Sequence, residues 1–123
     1  MKVKVKMKKR IIFCFDIDNT ICTTKGKNYY SAKPKKRTIN LINRLYDKGH
    51  TIKIFTGRFM GRNKDNVQGA YKDGYKRTLQ QLKKWKLKHH KLILGKPALD
   101  ILIDDKALGF KSSLIHNLKK YLK

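Results

Sequence analysis

Residues 11–20 read Ile-Ile-Phe-Cys-Phe-Asp-Ile-Asp-Asn-Thr, an apolar run that stops abruptly at an acidic, turn-forming string. The apolar part is short, rich in β-branched and aromatic side chains, and unbroken at successive positions. That pattern predicts a strand over residues 11–15 buried on both faces, as at the centre of a parallel sheet. Two acidic residues placed directly after such a strand fall at its carboxyl end, where open parallel sheets bind their ligands.

The rest of the chain repeats the pattern. Residues 51–55 (TIKIF) predict a second strand that ends at Thr56-Gly57-Arg58. Residues 91–94 predict a third, followed by Gly95 and Lys96, and residues 100–103 a fourth, ending at Asp104-Asp105. Between the first two, Thr38, Leu41, Ile42, Leu45 and Tyr46 recur at helical spacing, with Gly49 at the stop. Tyr75, Leu79, Leu82 and Trp85 mark a second amphipathic helix. Leu114, Ile115, Leu118, Tyr121 and Leu122 mark a last one, with Ser112 as its cap. Residues 16–33 and 59–73 read as loops. Strands alternating with helices predict an α/β fold: a three-layer α/β/α, Rossmann-like arrangement around a mostly parallel sheet. The 123 residues suffice for one domain, 1–123, with residues 1–10 (MKVKVKMKKR) as a basic strand extension or arm.

Charge dominates the composition: 32 basic residues against 8 acidic, a net +24. Nucleic acid or another anionic partner is one reading of that excess. Against it, the basic set is 26 Lys to 6 Arg, and the lysines are scattered rather than gathered in a stripe. Planar phosphate and base recognition selects Arg, so the excess fits a lysine-rich composition that attracts anionic substrates in general. The two cysteines, Cys14 and Cys22, have no His partners at zinc spacing. Cys14 lies in the apolar run and reads as a small packed hydrophobe. No apolar run approaches the ~20 residues of a membrane span, and none has the form of a signal peptide, so the sequence predicts a cytoplasmic protein without disulfides. His50, His89, His90 and His116 are scattered and read as surface or packing residues.

The acids are few and clustered. There is no Glu, and four of the eight Asp form the pairs Asp16/Asp18 and Asp104/Asp105, each after an apolar run. On the predicted sheet these pairs share one rim with Thr56, Gly57, Arg58 and Lys96. Crowded carboxylates repel in a partly dry site, and a bound cation relieves them. An all-oxygen set without His or Cys points to Mg²⁺. Lys96, Thr56 and exposed backbone N–H groups suit a phosphate dianion.

At this point the motifs resemble those of the haloacid dehalogenase superfamily of phosphatases. FDIDNT (residues 15–20) is similar to that superfamily's DxDxT motif, IFTGR (54–58) to its second, Lys96 in LGKP to its third, and ILIDD (101–105) to its fourth. The order and spacing agree over roughly residues 10–110. More narrowly, Ala32-Lys33-Pro34, FTGR, TLQQLKKW (78–85) and GKPALDILIDDKA (95–107) resemble the small phosphatases of bacterial capsular polysaccharide biosynthesis. The resemblance implies Asp16 as the nucleophile that forms an aspartyl-phosphate and Asp18 as general acid and then base. It implies Mg²⁺ held by Asp16, the main-chain carbonyl of Asp18, and Asp104, with Asp105 as ligand or neighbour. Thr56 would bond a phosphoryl oxygen, and Lys96 would neutralise charge. Gly57, Arg58 and Asn19 complete the candidate phosphate-binding set, with Arg58 either binding the substrate or anchoring the loop, and Thr20 shapes the loop. Asn19 stands where many members have Gly, and Asn tolerates the left-handed backbone that such a position needs.

Larger members of that superfamily carry a cap domain. Here about fifteen residues precede the first helix after the strand, and about fifteen separate Arg58 from the second, too few for a separate domain. An uncapped, open site is therefore expected, with the 59–73 loop as the candidate for specificity. An open site disfavours mutase chemistry, which holds an intermediate away from water. The leading expectation is a Mg²⁺-dependent phosphomonoester hydrolase acting on a sugar phosphate or glycan precursor. The alternatives are a nucleotide or polynucleotide-end phosphatase and a non-catalytic basic binding module, with oligomerisation left open.

Overall fold

The computed structural model describes residues 9–109 and 114–123. Most of the 1–10 arm and the Ser112 cap lie outside the described residues. The chain runs through strand β1 (Ile12–Phe15), a hairpin of β2 (Cys22–Thr23) and β3 (Lys33–Pro34), helix α1 (Lys36–Asp47) and strand β4 (Thr51–Thr56). Helix α2 (Val67–Lys84), strand β5 (Lys91–Leu94) and helix α3 (Leu114–Lys119) follow. β1, β4 and β5 form a parallel three-stranded sheet in that order, with Phe15 opposite Ile54 and Thr56 opposite Leu94. The fold is thus mixed α/β with a parallel sheet, as the alternation of strands and helices predicted.

The layering differs from expectation. Phe15, Ile52, Ile54, Leu92 and Leu94 are buried, whereas Ile12 is 65% exposed, Cys14 is exposed, and Lys53, Phe55 and Ile93 are half-buried. Successive residues of a strand face opposite sides, so one side of the sheet carries the core and the other is open. Both crossovers step the same way across the sheet, and right-handed connections then put α1 and α2 on one face. Tyr121, just past α3, meets the Phe13 ring edge-on at 5.2 Å on that same face. Among the described residues the helices cover one face, so the three-layer expectation is corrected to two layers. Cys14 is corrected with it: it lies on the open side rather than in the core.

The largest departure is at residues 100–103. They form no strand. Leu99, Ile101, Leu102 and Ile103 are 42, 79, 53 and 93% exposed. The turn at Gly95 (φ 114°) sends the chain across the rim, where the Lys96 N–H reaches the Thr56 carbonyl and the Ala98 N–H reaches Asp65 Oδ1 at 3.1 Å. Anchored there, residues 99–103 do not reach a ladder partner. β1 keeps an unpaired edge among the described residues.

Two smaller corrections concern loops. Residues 16–33 contain the β2–β3 hairpin arm, and residues 67–73 are the first turns of α2. Asn66 caps that helix by accepting from the Gly69 N–H at 2.8 Å. Inside α2, Gly74 lies against the ring of Phe59, a buried residue with φ 68°. A Cβ on Gly74 would fall within that ring. Gly74→Ala is therefore expected to destabilise the protein by about 1–3 kcal/mol, the usual cost of overpacking, read as a lower midpoint in urea unfolding.

Two histidines have a role the sequence did not reveal. His50 Nδ1 accepts from the Ile11 N–H and His90 Nδ1 from the Ile52 N–H, each at 3.0 Å. Each ring, just before a strand, terminates the ladder of the neighbouring strand by supplying an acceptor to a backbone donor.

Candidate functional site

β1 ends at Phe15, and Asp16 follows on the carboxyl rim of the sheet. The chain then makes one turn, with the Thr20 and Ile21 N–H groups both donating to the Ile17 carbonyl. Asn19 takes a left-handed conformation (φ 62°), as its identity allowed. Its side-chain oxygen accepts from the Thr24 N–H at 3.0 Å. Asn19 therefore folds the hairpin arm, and that oxygen is not offered to a phosphate. Thr20 shapes the same turn.

Asp16 is one-third exposed. Burial pushes its carboxyl above the ordinary carboxylate range, and the neighbouring Lys96 opposes that rise. Lys96 Nζ stands 3.8 Å from Asp16 Oδ1. Gly57 makes this approach feasible: a Cβ there would sit 3.1 Å from the Lys96 carbonyl oxygen, so the absence of a side chain lets the ends of β4 and β5 close up. The expected pairing of Asp16, Lys96 and Gly57 on one rim is present.

Asp18 is held differently. Arg58 Nε donates to Asp18 Oδ2 and Nη2 to Oδ1, both at 2.9 Å, a bidentate fork. Thr24 Oγ1 donates to Asp18 Oδ1 at 2.6 Å. Arg58 Nη1 donates to Gln81 Oε1 at 2.6 Å, and Gln81 Nε2 in turn donates to the Tyr29 carbonyl at 2.8 Å. The Arg58 side chain is wholly buried, its guanidinium carbon 4.9 Å from the centre of the Tyr29 ring and 5.9 Å from that of Tyr30. One chain of bonds thus runs from Asp18 through Arg58 to α2 and back to the hairpin arm. Arg58 is an anchor for Asp18, not an open phosphate contact. Thr56 is also fully buried, and its hydroxyl oxygen accepts from the Arg58 N–H at 3.1 Å.

The second acidic pair is elsewhere. Asp104 and Asp105 are exposed, and Asp104 Oδ1 accepts from the Lys106 N–H at 3.0 Å, which holds its carboxyl below the usual range. Among the described residues no three His, Cys, Asp or Glu side chains converge on a point where a metal could be held. Of the expected oxygen ligands for Mg²⁺, Asp16 and the main chain of Asp18 both follow directly on β1. Asp18's own carboxylate is engaged by Arg58, and Asp104 and Asp105 do not join. Among the described residues the expected set is not brought together, since residues 100–103 form no strand that would carry Asp104 to the rim.

The sequence reading missed Thr24, Gln81, Tyr29 and Tyr30. Gln81 and Tyr29 are 52 positions apart, and no local pattern signals such a bond. The scarcity of Arg was the available clue, since a lysine-rich chain that keeps an Arg after a strand has use for its fork.

No protein-family model matches the chain, and no curated protein matches it. The fold is similar to that of a solved structural-genomics target from Vibrio cholerae, with a TM-score of 0.74 and 22% identity over 92% of this chain and 99% of that one. That likeness concerns the backbone: a mixed α/β fold with a parallel sheet is shared across nearly the full length of both chains.

Proposed function

We propose that this protein is a phosphatase of the haloacid dehalogenase type, acting on a phosphomonoester of a sugar or glycan precursor through an aspartyl-phosphate on Asp16. The observation that carries the reading is Asp16 itself. Its carboxylate stands at the carboxyl end of a parallel strand, one-third exposed, 3.8 Å from Lys96 Nζ, and among the described residues no side-chain hydrogen bond engages it. A carboxylate raised by burial, offset chiefly by a distant Lys96 and a main-chain N–H, keeps oxygen lone pairs available for attack.

In the first step an Asp16 oxygen forms a bond to phosphorus as the bond from phosphorus to the ester oxygen breaks, and the leaving oxygen takes up a proton. Lys96 offsets charge on the phosphoryl oxygens. In the second step water attacks phosphorus and gives up a proton, the phosphorus–Asp16 bond breaks, and inorganic phosphate departs. Asp18 would receive the proton of that water once a bond from Arg58 or Thr24 is released, since both of its oxygens are engaged as folded. The donor role expected for it in the first step needs the same release, which frees the oxygen that would carry the proton to the leaving group.

Magnesium stays in the proposal as a requirement to be tested. The test is release of p-nitrophenolate from p-nitrophenyl phosphate with and without added Mg²⁺. Turnover that depends on Mg²⁺ is the expected result, and an inert protein across a panel of sugar phosphates would overturn the reading. Asp104→Asn is informative in the same assay. An increase of about tenfold or more in the Mg²⁺ needed for half activity is expected if residues 99–104 join the site during turnover. An unchanged requirement would assign the metal to Asp16 and the main chain.

A further inference from the structure

Three of the six arginines, Arg58, Arg62 and Arg77, converge on one cluster of rings, Tyr29, Tyr30 and Phe59, in a chain whose lysines are scattered. Arg58 is consumed by Asp18. The other two are exposed. The Arg77 guanidinium carbon lies 3.9 Å from the centre of the Tyr30 ring, and that of Arg62 lies 4.9 Å from the centre of Phe59. The rings are themselves packed: Tyr29 meets Phe59 edge-on at 5.2 Å. Lys27 Nζ lies beside Gly61.

Neither exposed guanidinium has an acidic partner among the described residues. Asp73, one turn before Arg77 on α2, is turned to Asn63 Nδ2 at 2.9 Å. Gln81, one turn after it, is occupied by Arg58 and Tyr29. The Tyr30 hydroxyl, in the same cluster, is buried without a hydrogen-bond partner. A guanidinium held over a ring has already given up part of its side-chain freedom, so less entropy remains to be lost when an anion binds. Tyr30 lies near both Arg77 (3.9 Å) and Arg58 (5.9 Å), and Arg58 in turn holds Asp18, two residues from Asp16.

We propose that Arg62 and Arg77 form a second phosphoryl-binding site, so that the preferred substrate is a small molecule carrying one phosphoryl group at Asp16 and another on these arginines. The inference rests on the phosphatase reading for the first group only. Planar, bidentate recognition is what Arg supplies and Lys does not.

The test is calorimetric titration of the full chain carrying Asp16→Asn, so that no turnover intervenes, with glucose 1,6-bisphosphate and glucose 6-phosphate. Ionic strength is kept near physiological, at about 0.15 M, to suppress unspecific attraction. The bisphosphate is expected to bind about tenfold more tightly than the monophosphate. Adding Arg62→Ala with Arg77→Ala should erase that difference, Lys at both positions should restore part of it, and Arg44→Ala with Lys48→Ala, the same charge removed elsewhere on the surface, should leave it intact. No preference for the bisphosphate, or an equal loss in the Arg44/Lys48 control, would overturn the proposal. A 5′-phosphorylated oligonucleotide that depends on Arg62 and Arg77 where the bisphosphate does not would replace the small molecule with nucleic acid. An Arg-dependent preference without wild-type turnover of p-nitrophenyl phosphate or of any sugar phosphate in the panel would keep the binding site and remove the phosphatase reading. Turnover without the preference would do the reverse.

Discussion

Asp16→Asn is expected to lower turnover of p-nitrophenyl phosphate by about a thousandfold or more, the scale on which removing a covalent nucleophile acts, and to melt at or above the wild-type temperature. The two halves have one cause. Burial raises the Asp16 carboxyl above its ordinary range, so the folded state binds that proton more readily than the unfolded chain does. A group raised in this way contributes stability that is fully present below the unfolded value and lost as pH rises through the folded one. At neutral pH the ionised Asp16 is therefore a burden on the fold, and an uncharged isostere removes it. Activity has the opposite slope: the nucleophile must be ionised, so turnover falls as pH drops through the raised value, with an acid limb above that of an ordinary Asp. Thermal melts and pH–rate profiles of both proteins check the pair. An Asp16→Asn protein with undiminished turnover would remove the mechanism.

Arg58→Met should unfold the protein about 3–5 kcal/mol more easily, the usual result of deleting one partner of a buried ion pair. Arg58 is wholly buried and Asp18 only one-fifth exposed. Met keeps much of the volume but none of the donors. Both Asp18 oxygens lose their fork, Gln81 Oε1 loses its donor, and the arm carrying Tyr29 loses its tie to α2. The expected fall in melting temperature is roughly 10–20 °C for a domain of this size. Arg58→Lys should recover only part of it, since one ammonium cannot reproduce a bidentate fork. A melt of Arg58→Met that coincides with the wild type would show that the pair contributes nothing net.

The sheet strands were legible because their neighbours punctuate them: IIFCF stops at Asp16, TIKIF at Thr56-Gly57, and KLIL at Gly95. α1 was legible from its period. The ILI run at 101–103 has the same composition as the true strands, yet composition states only that a segment favours burial, not that the chain can deliver it to a ladder partner. The first turns of α2 were hidden by Gly69 and Gly74, residues that read as loop and that the helix keeps for packing against Asn63 and Phe59. β2 and β3 are two residues each, below the length at which alternation can be seen. Asp16 with Lys96 could be placed from strand ends alone. Asp18 with Arg58 could not, since 40 positions separate them and only the folded hairpin arm makes them neighbours.

The edge of β1, unpaired among the described residues, and the uncovered side chains of Leu99, Ile101 and Ile103 affect how the protein behaves in bulk solution. Such an edge is a template for another chain, and on this molecule the restraint against that is the +24 charge, which keeps copies apart. That restraint reaches about 10 Å at 0.1 M salt and about 3 Å at 1 M. Concentrating the protein in high salt, ordinarily a way to keep a basic protein dispersed, would here remove the repulsion while strengthening apolar contact, so light scattering should rise with ionic strength rather than fall.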